Sequence, residues 1–398
     1  MMDIAFLVTS LDRGGAETQL VRIATTLRRR GWRVGVLTLM PSDALKQDLD
    51  AAEIPCVPCL DARDRIPWRS AVRLYRQLRR WRPVVLATFN FPADVFGRIC
   101  GRLAGVPAIV SAVGTTHIKT SLRRRFYRWS EFLIARTVAN SKAAAMAMTA
   151  RRILTPAKTQ VIPNGLDFAA FDQLPSREEL RAVLEVPEAE FLWVAVGNLR
   201  PAKDYPNLLN AAARCVSLGG AFRLQVVGEA QAGPGRNAMA VPHHEVLRQR
   251  VGELGLEGTV QFLGGRGDVP RVLKAADGFV LSSAWEGMPN TVMEAMASGL
   301  PVVATDVGDV RELVEDGATG WVVPPGDPQA LAERMLAVMA MDPEDRLAMG
   351  ARGRERVHAG YDNERVVDRW EDLFRDLMNR KEPDHLLPNH RPPVTSGA

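Results

Sequence analysis

The segment GFVLSSAWEGMPNTVMEAMASGLPVVAT, residues 278–305, contains the pattern from which the fold class follows. An apolar run at 278–281 precedes a polar loop, a stretch with helical spacing at 290–298 and a second apolar run. Short apolar runs separated by one helix are typical of a β-α-β unit whose strands lie parallel in one sheet. Asn290 is a favoured residue at the start of a helix and Gly299 a favoured residue just after one, which supports the predicted helix.

The same alternation of apolar runs and longer amphipathic stretches extends over the chain of 398 residues and restarts once. The stretch 161–187 separates the two series and contains Pro and Gly, which predicts a linker or hinge. We therefore predict an α/β protein with two Rossmann-like domains, 1–172 and 173–361, whose parallel sheets face a central cleft. The tail at 385–398 is predicted to be disordered. The predicted strands are 4–9, 34–39, 84–88, 108–112 and 137–139, then 192–197, 224–228, 260–263, 278–281, 301–304 and 320–323.

The composition and the N-terminus favour a cytoplasmic protein. The chain is 46% hydrophobic and 24% charged, as globular proteins are. No apolar run approaches the ~20 residues that span a bilayer. Asp3 stands where a signal peptide carries positive charge, so we interpret the N-terminus as part of the first strand.

Cysteine, carboxylate and histidine motifs give little support for a metal or redox centre. Cys56 and Cys59 form a lone C-x-x-C, for which we favour two unreactive thiols over a redox pair or half of a zinc site. The D-x-D at 48–50 falls in a helical pattern, which favours a solvated face over a metal-bound diphosphate. His243 and His244 lie in a predicted flexible loop without further ligands. No metal is therefore expected.

Two motifs are typical of phosphate and sugar binding. Gly14 and Gly15 lie between the first strand and its helix, where free N–H groups suit a phosphate; a tight turn is the alternative. Glu286 and Glu294 form an E-x7-E pair, and carboxylates accept hydrogen bonds from neighbouring hydroxyls. The amides of 287–291 begin a helix and suit a diphosphate. A solvated surface charge is the alternative for either Glu, although Glu294 lies among apolar residues, where a carboxylate needs a partner.

The ordered set of motifs resembles the family-4 retaining glycosyltransferases, which have the GT-B fold. The resemblance extends over residues 3–375 and implies two Rossmann-like domains, with a C-terminal helix at about 362–380 that crosses back to the first. The matching segments are GGAE at 14–17, His117, NS at 140–141, IPNGLD at 162–167, VGNLRPAK at 196–203, VQFLG at 260–264, the E-x7-E at 286–294, GLPVVA at 299–304 and GATG at 317–320.

The resemblance implies a role for each matching position. Lys203 neutralises the donor diphosphate, Glu294 holds the ribose hydroxyls, and Glu286 faces the transferred sugar. Gly15 supplies an amide near the diphosphate, and His117 reaches the donor sugar beside the reacting carbon. The expected catalytic residues are His117, Glu286 and Lys203, and the expected donor-binding residues are Gly14, Gly15, Arg200, Lys203, Gly287, Met288, Pro289, Asn290, Thr291 and Glu294.

One position departs from the family pattern. The family has arginine five residues before the lysine, where this chain has Asn198, which lacks the charge. Arg200 replaces that arginine only if the register at the strand end differs. The base of the donor is expected to pack near the turn at 264–266.

The implied reaction is attack of an acceptor hydroxyl on the anomeric carbon of a nucleotide sugar, with retention at that carbon and without a metal or cofactor. Retaining hydrolases use a nucleophilic carboxylate. The family expectation is instead a front-side displacement, in which the leaving phosphate helps to remove the acceptor proton. Closure of the domains about the hinge would exclude water.

The expected donor is a UDP-hexose or UDP-N-acetylhexosamine, and the expected acceptor is a glycan or lipid-linked sugar of bacterial envelope polysaccharide synthesis. A sugar-phosphate enzyme of the same fold, such as a phosphorylase or epimerase, is one alternative. A non-catalytic nucleotide- or sugar-binding protein is another, for which Asn198 is the only indication. A glycosidase is least favoured, because the diphosphate-binding features would have no purpose.

Basic residues are concentrated in the first half of the chain. Residues 1–172 contain 27 Lys and Arg against 13 Asp and Glu, a net charge of +14, so the remainder carries −9. Basic and aromatic residues cluster at 79–82 and 123–129. Such clusters suit an anionic membrane surface or a lipid-diphosphate acceptor, with ordinary solvated helix faces as the alternative. We predict a cytoplasmic protein, peripheral on the inner face of the membrane, and no nucleic-acid partner.

Overall fold

The computed structural model describes residues 2–12, 14–41, 44–59, 67–114, 116, 118, 120–229 and 243–379. The strands in these residues are β1 Ile4–Val8, β2 Val34–Thr38, β3 Cys56–Pro58, β4 Val85–Phe89, β5 Ala108–Val113, β6 Arg136–Ala139, β7 Thr159–Val161, β8 Phe191–Val196, β9 Phe222–Val227, β10 Val260–Gly264, β11 Gly278–Leu281, β12 Val302–Thr305 and β13 Gly320–Val323. The helices are α1 Gly15–Arg29, α2 Lys46–Ala51, α3 Pro67–Trp81, α4 Phe91–Leu103, α5 Ser121–Trp129, α6 Lys142–Ala150, α7 Ala169–Asp172, α8 Arg177–Val183, α9 Tyr205–Ser217, α10 His243–Glu253, α11 Val269–Ala275, α12 Asn290–Ala297, α13 Val310–Leu313, α14 Pro328–Met339, α15 Pro343–Tyr361 and α16 Asn363–Asn379.

The strands form two parallel sheets, which confirms the predicted fold class. The first sheet has the order β3-β2-β1-β4-β5-β6-β7 and the second β10-β9-β8-β11-β12-β13. Every strand pair within them is parallel. The order reverses at β1 and at β8, and the carboxyl ends of strands at such a reversal border a crevice that suits a ligand. Each sheet therefore brings one reversal point to the cleft.

The strands at the centre of each sheet are buried on both faces. All five residues of β1, β2 and β4 are buried, as are all four of β11 and β12. Helices cover both faces of a parallel sheet, so its strands read as continuous apolar runs rather than as alternating ones. This burial explains why the apolar runs of the sequence predicted the strands.

The stretch 161–187 differs from the predicted linker. Leu166, Phe168, Phe171 and Leu180 are buried in the core of the second sheet, and α7 and α8 pack against α11. Its Pro and Gly residues predicted a linker. Its apolar side chains instead pack into the core of the second sheet. The strands β3 and β7, of three residues each, were not predicted, because runs so short have no clear periodicity.

Helix α16 packs on the first sheet, although it follows the second in sequence. The ring of Trp370 stacks on Phe89 with 5.9 Å between centroids, and Phe374 meets Phe6 edge-on at 6.2 Å. At the crossing, the backbone N–H of Leu166 donates to the carbonyl of Tyr361 at 2.8 Å. The two chain segments that connect the sheets therefore lie side by side.

The predicted disordered tail at 385–398 lies outside the described residues. In the described part of the chain, no helix combines the length and the apolarity that a membrane span requires.

Candidate active site

A cleft of about 780 Å³ lies between the carboxyl ends of the two sheets. It is lined by Gly14, Gly15, Arg200, Lys203, Glu286, Gly287, Met288, Pro289, Asn290, Thr291 and Glu294, all expected from the sequence. His117, the remaining expected residue, lies outside the described residues. Loops after β1, β8 and β11 thus bring together positions up to 280 residues apart, because those three strands border the reversal points.

Lys203 and Glu286 form an ion pair in the wall of the cleft. Nζ of Lys203 lies 2.8 Å from Oε1 of Glu286, and the hydroxyl of Ser283 donates to the same oxygen at 2.7 Å. Both charged side chains are largely buried. The stem of Lys203 crosses Gly197 so closely that a Cβ there would lie 2.5 Å from Cε. Ser283 was not predicted, although it follows β11 as a polar residue at a strand end.

Glu294 lies on α12, half-buried at the base of the cleft. Burial raises the pKa of this carboxyl above its ordinary value, and the nearby charges of Arg22 and Lys203 offset only part of the increase. Among the described residues, no group donates a hydrogen bond to its carboxylate oxygens. This carboxylate is therefore a hydrogen-bond acceptor whose capacity the protein itself does not fill.

Two helix N-termini face each other across the cleft. Helix α1 begins at Gly15 and α12 at Asn290, and neither has a side-chain cap. A Cβ on Gly15 would lie 3.2 Å from Nδ2 of Asn290. The prediction that the Asn290 side chain caps α12 was wrong: Pro289 occupies the cap position, and Oδ1 of Asn290 accepts a hydrogen bond from Nδ2 of Asn164 at 2.6 Å. Uncapped N–H groups and the helix dipole favour an anion here.

Asn198 and Arg200 both line the cleft, at a tight turn after β8. The N–H of Arg200 donates to the carbonyl of Asn198 at 2.7 Å. Burial raises the pKa of Glu17, opposed by a hydrogen bond from Asn90 and by the charge of Arg200. Arg200 therefore acts electrostatically on α1, the helix that begins at the cleft.

Asp309 connects the two halves of the protein at one side of the cleft. Its carboxylate oxygens accept hydrogen bonds from the backbone N–H groups of Lys142 and Ala143, at 2.7 and 2.8 Å, in the first turn of α6. Burial raises the pKa of Asp309, and these two hydrogen bonds oppose the shift. The hydroxyl of Thr116 also donates to the carbonyl of Glu286, at 2.9 Å. Sequence reasoning missed Asp309, because its partners lie 166 and 167 residues away.

Other motifs lie apart from the cleft. Asp48 and Asp50 are exposed on α2, as predicted for a solvated face. Cys59, of the C-x-x-C formed with Cys56, is a free thiol, and burial raises the pKa of Cys59 to about 12, so it remains protonated near neutral pH. The turn at 264–266 does not line the cleft.

His243 begins α10 and His244 follows it, so the predicted flexible loop does not extend to these two histidines. No group of three or more His, Cys, Asp or Glu side chains in the described ranges is arranged to hold a metal ion.

Comparisons with known proteins agree with this architecture. The model of the family "Glycosyltransferase Family 4" matches residues 13–170, and that of "Glycosyl transferases group 1" matches residues 176–356. The chain is 30% identical to the lipopolysaccharide core biosynthesis mannosyltransferase LpsB of Rhizobium meliloti over 64% of its length and 70% of that protein. The chain therefore belongs to the family-4 glycosyltransferases.

Two further similarities concern individual proteins. The chain is 26% identical, over 79% of its length and 80% of the other protein, to the UDP-Gal:alpha-D-GlcNAc-diphosphoundecaprenol alpha-1,3-galactosyltransferase of Escherichia coli. The solved structure of Anabaena Alr3699/HepE in complex with UDP and glucose superposes with a TM-score of 0.82 at 26% identity, covering 94% of this chain and 100% of that one. The structural neighbours of this chain are GT-B glycosyltransferases, which confirms the predicted fold of two Rossmann-like domains.

The contact of Asp309 with α6 generates the first prediction. Replacing Asp309 with Ala leaves the N–H groups of Lys142 and Ala143 without their acceptor, which costs about 1–3 kcal/mol for groups bonded to a charge. We expect hydrogen exchange at these two amides to accelerate at least about fivefold, while amides in β1 keep their protection.

The matched control is Glu312→Ala, which removes only the exposed ion pair between Glu312 and the side chain of Lys142. We expect it to leave the two amides protected. Unchanged exchange in Asp309→Ala would show that this contact does not hold the halves together.

Proposed function

We propose that this protein is a retaining, metal-independent glycosyltransferase. It transfers a hexose or N-acetylhexosamine from a UDP-sugar to a hydroxyl of a glycan or lipid-linked acceptor in bacterial envelope polysaccharide synthesis. The observation that carries the proposal is the single cleft that holds Lys203, Glu294 and two uncapped helix N-termini. The named activity of the Escherichia coli relative and the UDP and glucose bound by Anabaena Alr3699/HepE support the same donor and acceptor classes.

The donor nucleotide is held by a hydrogen-bond acceptor at its ribose and by hydrogen-bond donors at its diphosphate. Glu294 has unfilled acceptor capacity, and a carboxylate can accept hydrogen bonds from both hydroxyls of a ribose. The uncapped amides of α1 and α12 point towards the same cleft and suit the diphosphate. Glu286, whose Oε1 is fixed by Lys203 and Ser283, is positioned to accept hydrogen bonds from the transferred sugar.

The charge that develops on the leaving diphosphate is offset by protein groups. Lys203 supplies a full positive charge from a largely buried position, where electrostatic interactions are stronger than in water. The helix dipoles of α1 and α12 add partial positive charge. Arg200 lines the cleft at the turn after β8 and takes the place of the arginine that the family has at the position of Asn198.

The proposed reaction uses the groups at these positions. The acceptor hydroxyl attacks the anomeric carbon, the bond to the diphosphate oxygen breaks, and the leaving phosphate takes the acceptor proton on the same face. Retention at the anomeric carbon results, without a covalent enzyme intermediate. Glu286 is less suited to act as a nucleophile, since its Oε1 is bonded to both Lys203 and Ser283. His117 acts beside the reacting carbon.

An exposed apolar and basic surface lies on α5 and the turn after it, and we call it the α5 surface. The acceptor is expected to bind next to this surface. Leu122, Trp129 and Phe132 are 75%, 65% and 65% exposed, and the rings of Trp129 and Phe132 meet edge-on at 5.8 Å. The arginines at 124, 125 and 128 are exposed on the same helix. Apolar side chains flanked by arginines suit the headgroup region of an anionic bilayer, so the protein works at the inner face of the membrane.

A nucleotide panel tests the donor site. We expect UDP and one UDP-sugar to raise the melting temperature, unaffected by EDTA, and GDP and ADP to have less effect. A ligand at ~100 times its Kd adds about 2.7 kcal/mol of stability. Glu294→Ala and Lys203→Ala should each weaken UDP binding about 10- to 100-fold, because each removes a charged hydrogen-bonding group. Lys203→Ala should also lower kcat.

The control for the panel is Asp48→Ala, which removes an exposed carboxylate on α2. We expect its UDP affinity to equal that of the wild type. Equal affinity in all three variants would contradict the assignment of the donor site, and a shift that EDTA abolishes would contradict metal independence.

The raised pKa of Glu294 predicts a pH dependence of donor binding. Ribose binding needs the carboxylate, so UDP-sugar affinity should fall as the pH decreases through this raised pKa, at a higher pH than for an ordinary Glu. The stability of the free protein should change in the opposite direction. A raised pKa in the folded state contributes stability below the ordinary value near 4.5, and this is lost as the pH rises through the raised value.

Glu294→Gln cannot ionise and should show weaker UDP-sugar binding without this pH dependence. Isothermal titration from pH 7.5 to pH 4.5 (roughly the range spanned by a raised carboxyl pKa) measures both proteins. A parallel decline in wild type and Glu294→Gln would attribute the pH dependence to another group.

Vesicle binding tests the α5 surface. We expect the protein to sediment with vesicles that contain phosphatidylglycerol, less with pure phosphatidylcholine, and less at high salt, because screening weakens exposed charges. Trp129→Ala should reduce binding, since it removes a large exposed aromatic side chain. Leu347→Ala, which removes an exposed apolar side chain on α15, is the matched control. Equal binding of both vesicle types would contradict the proposed surface.

A further inference from the structure

One end of the cleft is formed by residues that the donor site does not use. Phe91 and Pro92 from the start of α4, Ile118, and Arg123 and Tyr127 from α5 line it. All five belong to the first half of the chain, whereas the groups proposed for the ribose and the sugar, Glu294 and Glu286, belong to the second. This end of the cleft is therefore open to the second substrate.

Arg123 brings a positive charge to this end. Its guanidinium carbon lies 4.6 Å from the centre of the Phe91 ring, a cation–π contact that orients the planar group. In the described part of the chain, no carboxylate lies within ion-pairing distance of Arg123, in contrast to Lys203 with Glu286. A guanidinium that rests on an aromatic ring keeps N–H donors at its edges, in a geometry that matches two oxygens of a phosphate.

A buried polar network fixes the helix that carries Arg123. The hydroxyl of Tyr127 donates to Asp94 at 2.6 Å, and Arg98 lies with its guanidinium carbon 4.9 Å from the centre of the Tyr127 ring. Asp94 and Arg98 are both fully buried on α4. Burying two charges is unfavourable unless opposite charge and hydrogen bonds compensate them, and here Asp94 accepts from Tyr127 while Arg98 donates to Ser130 at 2.7 Å, just after α5. Their effect is to hold α5 on α4.

The aromatic residues extend this support to Arg123 itself. The Phe91 ring under Arg123 contacts Phe126 and Tyr127, with centroid distances of 5.7 and 5.5 Å. Arg123 therefore stands on a rigid base, and little conformational freedom is lost when it binds an anion.

We propose that Arg123 binds a phosphate group of the acceptor. The inference rests on the proposed function, because it names the charged group carried by the second substrate of the same cleft. The phosphate is that of a lipid diphosphate, because Arg123 belongs to the same helix as the exposed apolar and basic α5 surface. The donor diphosphate is a separate ligand, with Lys203 and the N-termini of α1 and α12 as its partners.

The test uses soluble probes with the full-length protein saturated with UDP, so that the donor site is filled. The probes are octyl diphosphate, the neutral octyl glucoside and inorganic phosphate, each titrated by calorimetry. We expect octyl diphosphate to bind and Arg123→Ala to weaken it about 10- to 100-fold, as for loss of a charged bidentate contact. Arg123→Lys should bind with intermediate affinity, because it keeps the charge but loses the fork.

The matched control is Arg125→Ala, an exposed arginine on the same helix that does not line the cleft. We expect it to leave the affinity for octyl diphosphate unchanged. An equal loss in both variants would assign the effect to the general charge of α5 and overturn the proposal. Failure of octyl diphosphate to bind the wild type, or equal affinity for inorganic phosphate, would overturn it too.

Two measurements separate this proposal from the proposed function. The Kd of UDP, measured alone, should be the same in Arg123→Ala and the wild type; a weaker Kd would place Arg123 in the donor site and overturn the inference. If UDP does not bind at all, the proposed function fails, while the titrations repeated without UDP still report on Arg123. An unchanged melting temperature in Arg123→Lys shows that the loss of affinity is not loss of folding.

Discussion

The close approach of Gly287 to the first half of the protein is the constraint on which the cleft depends. A Cβ at this position would lie 2.6 Å from the carbonyl oxygen of Gly114, and one on Gly308 would lie 2.2 Å from the carbonyl oxygen of Gly287. Gly308 also has φ of 56°, a conformation that glycine adopts without strain. Only glycines permit three backbone segments to meet here. The loop that carries Glu286 is therefore fixed against both halves, and the N-terminus of α12 opens onto the cleft.

The electrostatic character of the cleft follows from this arrangement. Lys203 and Glu286 form an ion pair at one wall, which offsets part of the cost of burying both side chains. Within the described ranges, Glu294 is left without a hydrogen-bond donor, and two helix N-termini are left without a side-chain cap. The cleft therefore presents one hydrogen-bond acceptor, the Glu294 carboxylate, beside the N–H donors at the starts of α1 and α12. A ligand with both hydroxyl groups and a phosphate suits all of these groups. A nucleotide is such a ligand, which is why geometry and motif lead to the same conclusion.

The parts of this structure that sequence predicts are those with local causes. All strands of both sheets except the short β3 and β7 follow from apolar runs, and the positions of Lys203 and Glu294 follow from motifs at strand ends. The errors concern contacts between distant residues. Asn290 has the chemistry of a helix cap, yet its side chain bonds to Asn164, 126 residues earlier. Asp309 resembles an ordinary loop residue, and only the packing of two sheets reveals that it accepts hydrogen bonds from α6.

The charge asymmetry of the chain is similarly reinterpreted by the fold. The net charge of +14 over residues 1–172 suggests a uniformly basic domain, but α16 returns to neutralise part of it. Arg30, the residue after the end of α1, pairs with Glu364, Asp368 and Glu371 of α16. The arginines at 123–125 and 128, by contrast, have no ion-pair partner among the residues that the structure describes. Part of the positive charge that remains therefore lies on α5, and one of its arginines, Arg123, lines the cleft. Because opposite charges attract over about a Debye length, this distribution favours the approach of anionic groups to the side of the cleft where α5 lies.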